Sequence, residues 1–272
     1  MKGLSRLFRV RLALLNAVAA LGGYLLFPGE AEMAPAAVTL LGVALLAAGG
    51  SALNQVLERD LDRLMARTRL RPLPQGELTP LAASLIGSGT ILTGVLLLFA
   101  VAGQLPALLG CAALVWYLAL YTPLKHRTPF ALLVGAVCGA FPPIIGWCVA
   151  GGHPADYRII LLAGLLYIWQ VPHFWLLQHR HREDYRSAGI PLLENAANST
   201  GQSALYRLWL VALFATAMIL PALGMLQGHV ALWYAASLLP LMILSGLHAE
   251  GAPLSQLNLF PLIVTLALLA QK

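Results

Sequence analysis

The sequence has very little charge for its length. Of its 272 residues, 10% are Asp, Glu, Lys or Arg and 59% are hydrophobic, whereas soluble domains carry about 25% charged residues. Too few polar side chains are present to cover a surface that faces water, which excludes an ordinary soluble globular protein. A lipid bilayer must therefore solvate most of the exterior.

Paired cysteines and several common catalytic signatures are also missing. The three cysteines, Cys111, Cys138 and Cys148, lie in apolar stretches and form no C-x-x-C pair, which is typical of small buried side chains. No HExxH, P-loop, GxGxxG or GxSxG pattern occurs. The net charge of +6 does not indicate a nucleic-acid partner in so apolar a chain, where the position of each charge relative to the membrane matters more.

Long apolar segments fill the chain instead. A membrane-spanning helix needs about 20 apolar residues, and no repeat, low-complexity tract or soluble domain interrupts the apolar segments. The N-terminus resembles a signal peptide but lacks a small-residue cleavage site, so it is predicted to stay as the first span. We predict an all-α, polytopic membrane protein with one domain over residues 1–272. The nine predicted spans are 9–28, 35–57, 80–102, 105–121, 129–151, 158–177, 205–226, 229–248 and 253–270.

The basic residues predict how the chain is oriented. If the N-terminus is inside and the nine spans alternate, every Lys and Arg except Arg158 and Lys272 falls on the inside. This asymmetry follows the positive-inside rule. It predicts an N-in, C-out protein of the bacterial cytoplasmic membrane. The loops after the second and sixth helices then emerge together on the cytoplasmic side.

The first of these loops carries oxygen ligands at helical spacing. Asn54, Glu58 and Asp62 are four residues apart, so on a helix they share one face. Mg²⁺ prefers one or two carboxylates, completed by water and substrate phosphate. The spacing therefore predicts a metal site, and Asp60 would point elsewhere on an unbroken helix.

Arginines follow the carboxylates at the same spacing. Arg63, Arg67 and Arg71 match phosphate oxygens as donors, so the segment also indicates a diphosphate site. An ordinary set of ion pairs, such as Glu58–Arg63, combined with arginines that set the topology is the alternative. A bound cation would relieve the repulsion between carboxylates at a membrane boundary.

Two further inside segments could complete such a site. The loop after helix six contains Glu183, Asp184 and Tyr185, and the turn at 121–129 contains Lys125 and Arg127. The two basic residues could neutralise a diphosphate leaving group, or could simply set the topology. In helix six, His173 lies in the apolar run WQVPHFW and could ligate heme iron or be a hydrogen-bonded core residue.

Four segments together resemble the UbiA superfamily of intramembrane prenyltransferases, and within it the branch that acts on heme. They cover most of residues 50–193 in order, and they are NQVLERDLDRLMARTRLRPLPQG, YTPLKHRTP, GAFPPIIGW and WQVPHFWLLQHRHREDYRSAGIPLL. The sequence departs from the family pattern at Glu58, where Asp is usual, and in the second motif, which lacks two aspartates four apart.

The resemblance implies nine transmembrane helices around a central cavity and a defined set of roles. It implies farnesyl diphosphate as donor, heme B as acceptor, Mg²⁺ as cofactor and, by family, a downstream membrane enzyme that modifies the product. The implied catalytic and metal-binding residues are Asn54, Glu58, Asp62 and Asp184. The implied substrate-binding residues are Asp60, Arg67, Arg71, Lys125, Arg127, His173 and Tyr185.

Two other functions compete with heme farnesylation. The same chemistry could act on another aromatic or quinone-precursor acceptor, because the residues alone indicate prenyl transfer without fixing the acceptor. A heme or isoprenoid transporter or binding protein is the alternative from another class. It should not need a site for a metal and a diphosphate, so loss of Asp62 would leave its function largely intact.

Overall fold

The computed structural model describes residues 2–192, 204–247 and 254–272, and within these ranges the chain contains helices and turns but no strand. The remaining residues, including 193–202 of the second predicted loop, lie outside the described structure. The α-helices are α1 Lys2–Phe8, α2 Val10–Leu26, α3 Met33–Leu57, α4 Arg59–Leu64, α5 Pro80–Ala102, α6 Gln104–Val115, α7 Thr122–Leu124, α8 Ala131–Ala136, α9 Phe141–Val149, α10 Tyr157–Arg180, α11 Arg182–Ser187, α12 Ala204–Ala222, α13 Gly228–Leu247 and α14 Leu254–Ala270.

The long helices coincide with the predicted apolar segments. Six helical segments of the described chain are long and apolar enough to cross a membrane, and α2 and the end of α14 are shorter apolar helices. The all-α membrane fold is therefore confirmed, whereas the count of nine spans and the N-in, C-out orientation stay predictions. The six segments are Met33–Leu57, Pro80–Ala102, Gln104–Leu124, Ala131–Val149, Tyr157–Arg180 and Ala204–Ala222.

Helices α2 and α9 pack with their backbones almost in contact. A Cβ atom added at Gly23 would lie 1.9 Å from the carbonyl oxygen of Pro143, and one added at Gly146 would lie 1.8 Å from that of Ala20. Small residues let membrane helices approach closely where no hydrophobic effect drives their association. Either glycine replaced by alanine would force the two helices apart.

The first long helix and the final helix of the described chain also touch each other. Helix α14 packs on α2, and Thr265 Oγ1 lies 3.4 Å from the carbonyl oxygen of Val18. Beyond the end of α14, Lys272 Nζ donates to the carbonyls of Phe27 and Gly29, both at 2.5 Å. The helices thus form a closed ring, and the cavity described below lies inside it.

Two irregular helical segments occur at the end of the ring that carries the first predicted loop. The helix is interrupted at Glu58 (φ −107°, ψ 13°), and this interruption separates α3 from α4. Across from it, Trp116–Tyr121 between α6 and α7 forms a π-helix. Such local π turns are frequent at functional sites because they shift side chains relative to the regular helix.

Candidate active site

An apolar cavity of about 200 Å³ occupies the centre of the helix ring. Helices α2, α3, α6, α8, α9, α10 and α14, the π-helix and the 3₁₀ turn Val137–Gly139 supply its wall, which includes Tyr117, Tyr121, Trp169, His173 and Phe174. The cavity reaches Gly50 and Ser51 of α3, one turn before Asn54. It therefore approaches the predicted metal site from the membrane side.

The three predicted oxygen ligands share one buried face, as their spacing predicts. The exposed fractions of Asn54, Glu58 and Asp62 are 4%, 5% and 0%, and the backbone N–H groups of Glu58 and Asp62 donate to the carbonyls of Asn54 and Glu58. Asp60 points away: its side chain is 77% exposed and pairs with Arg59 and Arg63. The structure therefore does not bring Asp60 to the buried face.

Each buried carboxylate is paired with one of the bases predicted to bind phosphate. Lys125 Nζ contacts Glu58 Oε1, and Arg71 Nη1 lies 2.8 and 2.7 Å from the two carboxylate oxygens of Asp62. The alternative pair Glu58–Arg63 is not among the ion pairs of the described residues, since Arg63 binds Asp60. The site therefore combines two negative and two positive groups away from water.

Burial shifts the protonation equilibria of these pairs. Burial raises the pKa of the Asp62 carboxyl above its ordinary value, and the charge of Arg71 opposes the rise. Burial likewise lowers the pKa of Lys125, which Glu58 opposes. Burial lowers the pKa of Arg71. The charge of Asp62 opposes this decrease, whereas the nearby charge of Arg9 increases it. Asp62, Arg71 and Lys125 therefore each depend on their partner to stay charged.

A hydrogen-bond chain joins Asn54 to the π-helix. Asn54 Nδ2 donates to Thr122 Oγ1 at 3.1 Å, and that hydroxyl donates to the carbonyl of Tyr117 at 2.8 Å. Because the amide nitrogen is engaged, the Asn54 side-chain oxygen is left to accept or to ligate. Thr122 was not predicted as a site residue. Its position directly after the fourth predicted span, 105–121, could have indicated it, because a hydroxyl there lies beside an apolar run.

Asp184 fastens the second loop to the first. Its carboxylate accepts from the backbone N–H groups of Ala66 and Arg67 at 2.9 and 3.1 Å, and Ser187 Oγ donates to the carbonyl of Leu64 at 3.3 Å. Among the described residues, no three His, Cys, Asp or Glu side chains form a metal-binding group. The structure therefore does not bring Asp184 together with Glu58 and Asp62, and its role as a metal ligand stays a prediction.

The Asp184 contact predicts a local change on mutation. In Asp184→Ala, the amides of Ala66 and Arg67 lose a charged acceptor, and we expect them to exchange hydrogen about tenfold faster. Hydrogen-exchange mass spectrometry of peptides covering residues 64–71 measures this. Glu183→Ala is the control, because that neighbouring carboxylate contacts Arg186. Equal exchange in the two variants would contradict the fastening role.

The remaining predicted residues surround the ion pairs. Arg67 and Arg127 are exposed on the same end of the ring, and burial raises the pKa of Tyr185, which the charge of Arg67 opposes. His173 lies in the cavity wall and stacks on Trp169 at 4.9 Å between ring centroids. Arg9, which the sequence interpretation treated only as a topological charge, lies close enough to act on Arg71 and Tyr185.

Comparison with known proteins agrees with this architecture. The family model for the UbiA prenyltransferase family matches residues 15–250. The chain is 57% identical to the protoheme IX farnesyltransferase of Geobacter sulfurreducens over 97% of each chain, and 42% identical to that of Oleidesulfovibrio alaskensis over 81% of this chain and 78% of the relative.

Solved structures match at the level of the fold. A UbiA homologue from Aeropyrum pernix without ligand gives a TM-score of 0.75 at 20% identity, over 96% of this chain and 98% of that one. A UbiA homologue from Archaeoglobus fulgidus bound to GPP and Mg²⁺ gives 0.66 at 17% identity, over 98% and 97%. The family match, the identity to the two farnesyltransferases and the shared fold lead to one conclusion: this chain belongs to the UbiA prenyltransferase family.

Proposed function

We propose that this chain transfers the farnesyl group of farnesyl diphosphate to a vinyl group of heme B, with addition of water, to form heme O. The observation that carries the proposal is the buried pairing of Glu58 with Lys125 and Asp62 with Arg71 beside an apolar cavity. Relatives 57% and 42% identical to the chain are protoheme IX farnesyltransferases, which supports heme as the acceptor over another aromatic or quinone precursor.

The donor set fits Mg²⁺ and a diphosphate. Asn54, Glu58 and Asp62 would hold the metal through oxygen atoms on one buried face, and substrate phosphate would complete the coordination. When bound, Mg²⁺ supplies positive charge that neutralises the developing charge of the leaving group. The UbiA homologue bound to GPP and Mg²⁺ supports the same cofactor here.

Loading the site requires an exchange of partners. Lys125 and Arg71 would leave the carboxylates and bind phosphate oxygens, and the carboxylates would then be free to ligate the metal. Arg67 and Arg127 are exposed near the entrance and would attract the diphosphate first. Every buried charge would keep an oppositely charged neighbour before and after the exchange.

The cavity would then hold the reacting carbon atoms away from bulk water. When the bond between farnesyl C1 and the diphosphate oxygen breaks, an allylic cation forms, and an apolar wall delays its capture by solvent. The flat porphyrin would pack against aromatic rings that already stack on one another, such as Tyr121 on Phe174 at 6.5 Å. Carbon attack by the vinyl group follows.

We place this site on the cytoplasmic side of a bacterial membrane. The N-terminal helix α1 contacts the first loop through Arg6 Nη1, which donates to the carbonyl of Leu70 at 2.7 Å, so the two lie at one end of the ring. The basic residues Arg9, Arg71 and Lys125 gather at this same end, and the positive-inside rule supports its being inside.

A turnover assay tests the proposed function. Purified protein in lipid receives heme B, farnesyl diphosphate and Mg²⁺, and mass spectrometry reads the products. We expect a product heavier than heme B by one farnesyl group and one hydroxyl group, and no such product when EDTA is added. If folded protein gives no heme adduct but prenylates an aromatic acceptor, the heme assignment is wrong. If it prenylates nothing, transport becomes the function to test.

A further inference from the structure

The central cavity ends against a buried apolar cluster on the side away from the predicted metal site. Val43 and Leu46 of α3 and Ile145 of α9 line the cavity, and they are 3%, 4% and 2% exposed. The same three residues pack in one hydrophobic cluster with Ala20, Leu98 and Ala107. The cavity is therefore closed at this end by side chains that are themselves buried.

Leu46 reaches from α3 to α6 because α6 has no side chain at the facing position. A Cβ atom on Gly110 would lie 2.5 Å from Leu46 Cδ1, so a larger residue there would push the leucine aside. Leu98, which is fully buried, lies 3.8 Å from the same Cβ position. Leu46 is thus packed between two helices and has little room to leave the cavity end.

A channel with small side chains leads from the predicted metal site to this end of the cavity. The lining residues of α3 between the metal site and Leu46 are all small, and they are Ala47, Gly50 and Ser51. On α6, Ala113 and Gly110 also line the cavity. A linear hydrocarbon chain attached to a diphosphate at the metal site would fit along this channel, with its free end at Leu46 and Val43.

The length of this channel matches a chain of three isoprene units. Val43 is eleven residues from Asn54, the predicted metal ligand nearest the cavity, which corresponds to about 16 Å at a helical rise of about 1.5 Å per residue. An extended carbon chain advances by about 1.25 Å per bond when single bonds measure about 1.5 Å. The eleven bonds along a farnesyl chain therefore span about 14 Å, whereas a chain with one more isoprene unit spans about 19 Å.

We propose that Val43 and Leu46 form an end wall that limits the donor to fifteen carbons. With the diphosphate at the metal site, the farnesyl chain lies along α3 and its last isoprene unit contacts this end wall. A geranylgeranyl chain is too long to fit. A geranyl chain leaves the space beside Val43 empty and loses the apolar contacts there. The inference rests on the proposed function, because that function supplies the prenyl diphosphate.

Two changes along α3 should shift the donor preference in opposite directions. The double variant Val43→Ala/Leu46→Ala removes five carbons from the end wall, as many as one isoprene unit contains, and should admit a geranylgeranyl chain. Ala47→Leu narrows the channel seven residues from Asn54, at about 10 Å, where a geranyl chain of about 9 Å ends. Leu213→Ala is the control, because Leu213 is fully buried on α12 without lining the cavity.

A competition assay measures the donor preference. Purified protein in lipid receives heme B, Mg²⁺ and equal concentrations of geranyl, farnesyl and geranylgeranyl diphosphate, and mass spectrometry gives the ratio of the three adducts. The wild type should favour the farnesyl adduct. We expect the geranylgeranyl-to-farnesyl ratio to rise about tenfold or more in the double variant, and the geranyl-to-farnesyl ratio to rise similarly in Ala47→Leu. Both ratios should keep their wild-type values in Leu213→Ala, and neither depends on the folded fraction.

Donor binding separates this inference from the proposed function. Thiolodiphosphate analogues, with sulfur in place of the oxygen at C1, bind without reacting, so their dissociation constants can be measured with Mg²⁺ and without heme. If the wild type makes no heme adduct but binds the farnesyl analogue best, and the variants change that order as expected, the proposed function is wrong and the end wall stands. If the wild type makes heme O but uses the geranylgeranyl donor as readily, or if neither variant changes the adduct ratios, the end wall is wrong and the function stands.

Discussion

Replacing Asp62 with asparagine is expected to lower product formation by about 100-fold or more, the size of effect seen when a group that stabilises transition-state charge is lost. Asp62 is fully buried and faces Arg71. Asparagine has the same shape but lacks the charge that would hold a cation. Product formed per minute from farnesyl diphosphate and heme B at saturating Mg²⁺ measures the loss.

Asp60→Asn is the matched comparison for this variant. The two aspartates are two residues apart on α4, but the Asp60 side chain is 77% exposed and pairs with Arg59 and Arg63. We expect its removal to change turnover far less. Size-exclusion chromatography and melting in detergent check that both proteins are folded. Equal activity of folded Asp62→Asn and wild type would contradict the metal–diphosphate site and would favour a transporter or binding protein.

The largest effect on stability is expected at the pair of Glu58 and Lys125. The two side chains are 4% and 19% exposed, and removal of one partner of a buried pair leaves the other charge uncompensated, at a cost of about 3–5 kcal/mol. Glu58→Gln and Lys125→Met should each show this loss. The double variant should recover much of it, because no unpaired charge then stays buried.

Denaturant unfolding in detergent measures this cycle. The exposed pair of Arg63 and Asp60, with side chains 52% and 77% exposed, provides the control, since exposed pairs contribute about 0–1 kcal/mol. Arg63→Met should therefore unfold almost as the wild type does. If the stability loss of the double variant equals the sum of the two single losses, the two charges do not depend on each other. The partner exchange proposed for substrate loading would then have no support.

The fold could be predicted largely because bilayer thickness fixes the length of an apolar segment. The predicted segments 35–57 and 80–102 end where α3 and α5 end. Segment 105–121 ends three residues early, since the structure continues it through Thr122–Leu124. The sequence pattern does not indicate the π-helix Trp116–Tyr121, because an extra residue in a helical turn leaves the apolar character of the segment unchanged.

The site could be predicted in part, because helical spacing alone puts Asn54, Glu58 and Asp62 on one face. The partners of Glu58 and Asp184 could not be predicted from the sequence. Lys125 and the amides of Ala66 and Arg67 are distant in sequence and contact these carboxylates only after the helices pack. Gln170 of the cavity wall was not singled out either, although it stands in the same WQVPHFW run as His173.

The contact between α2 and α14 has a consequence for how the protein is made. The ribosome releases α2 long before α14, so the surface of α2 around Gly22, against which Thr265 packs, has no α14 partner until that helix is made. Before α14 emerges, the cavity lacks the part of its wall that Asn258 and Pro261 supply. A chain truncated before residue 254 would keep all of the residues proposed to bind the diphosphate and would still lack one side of the cavity wall.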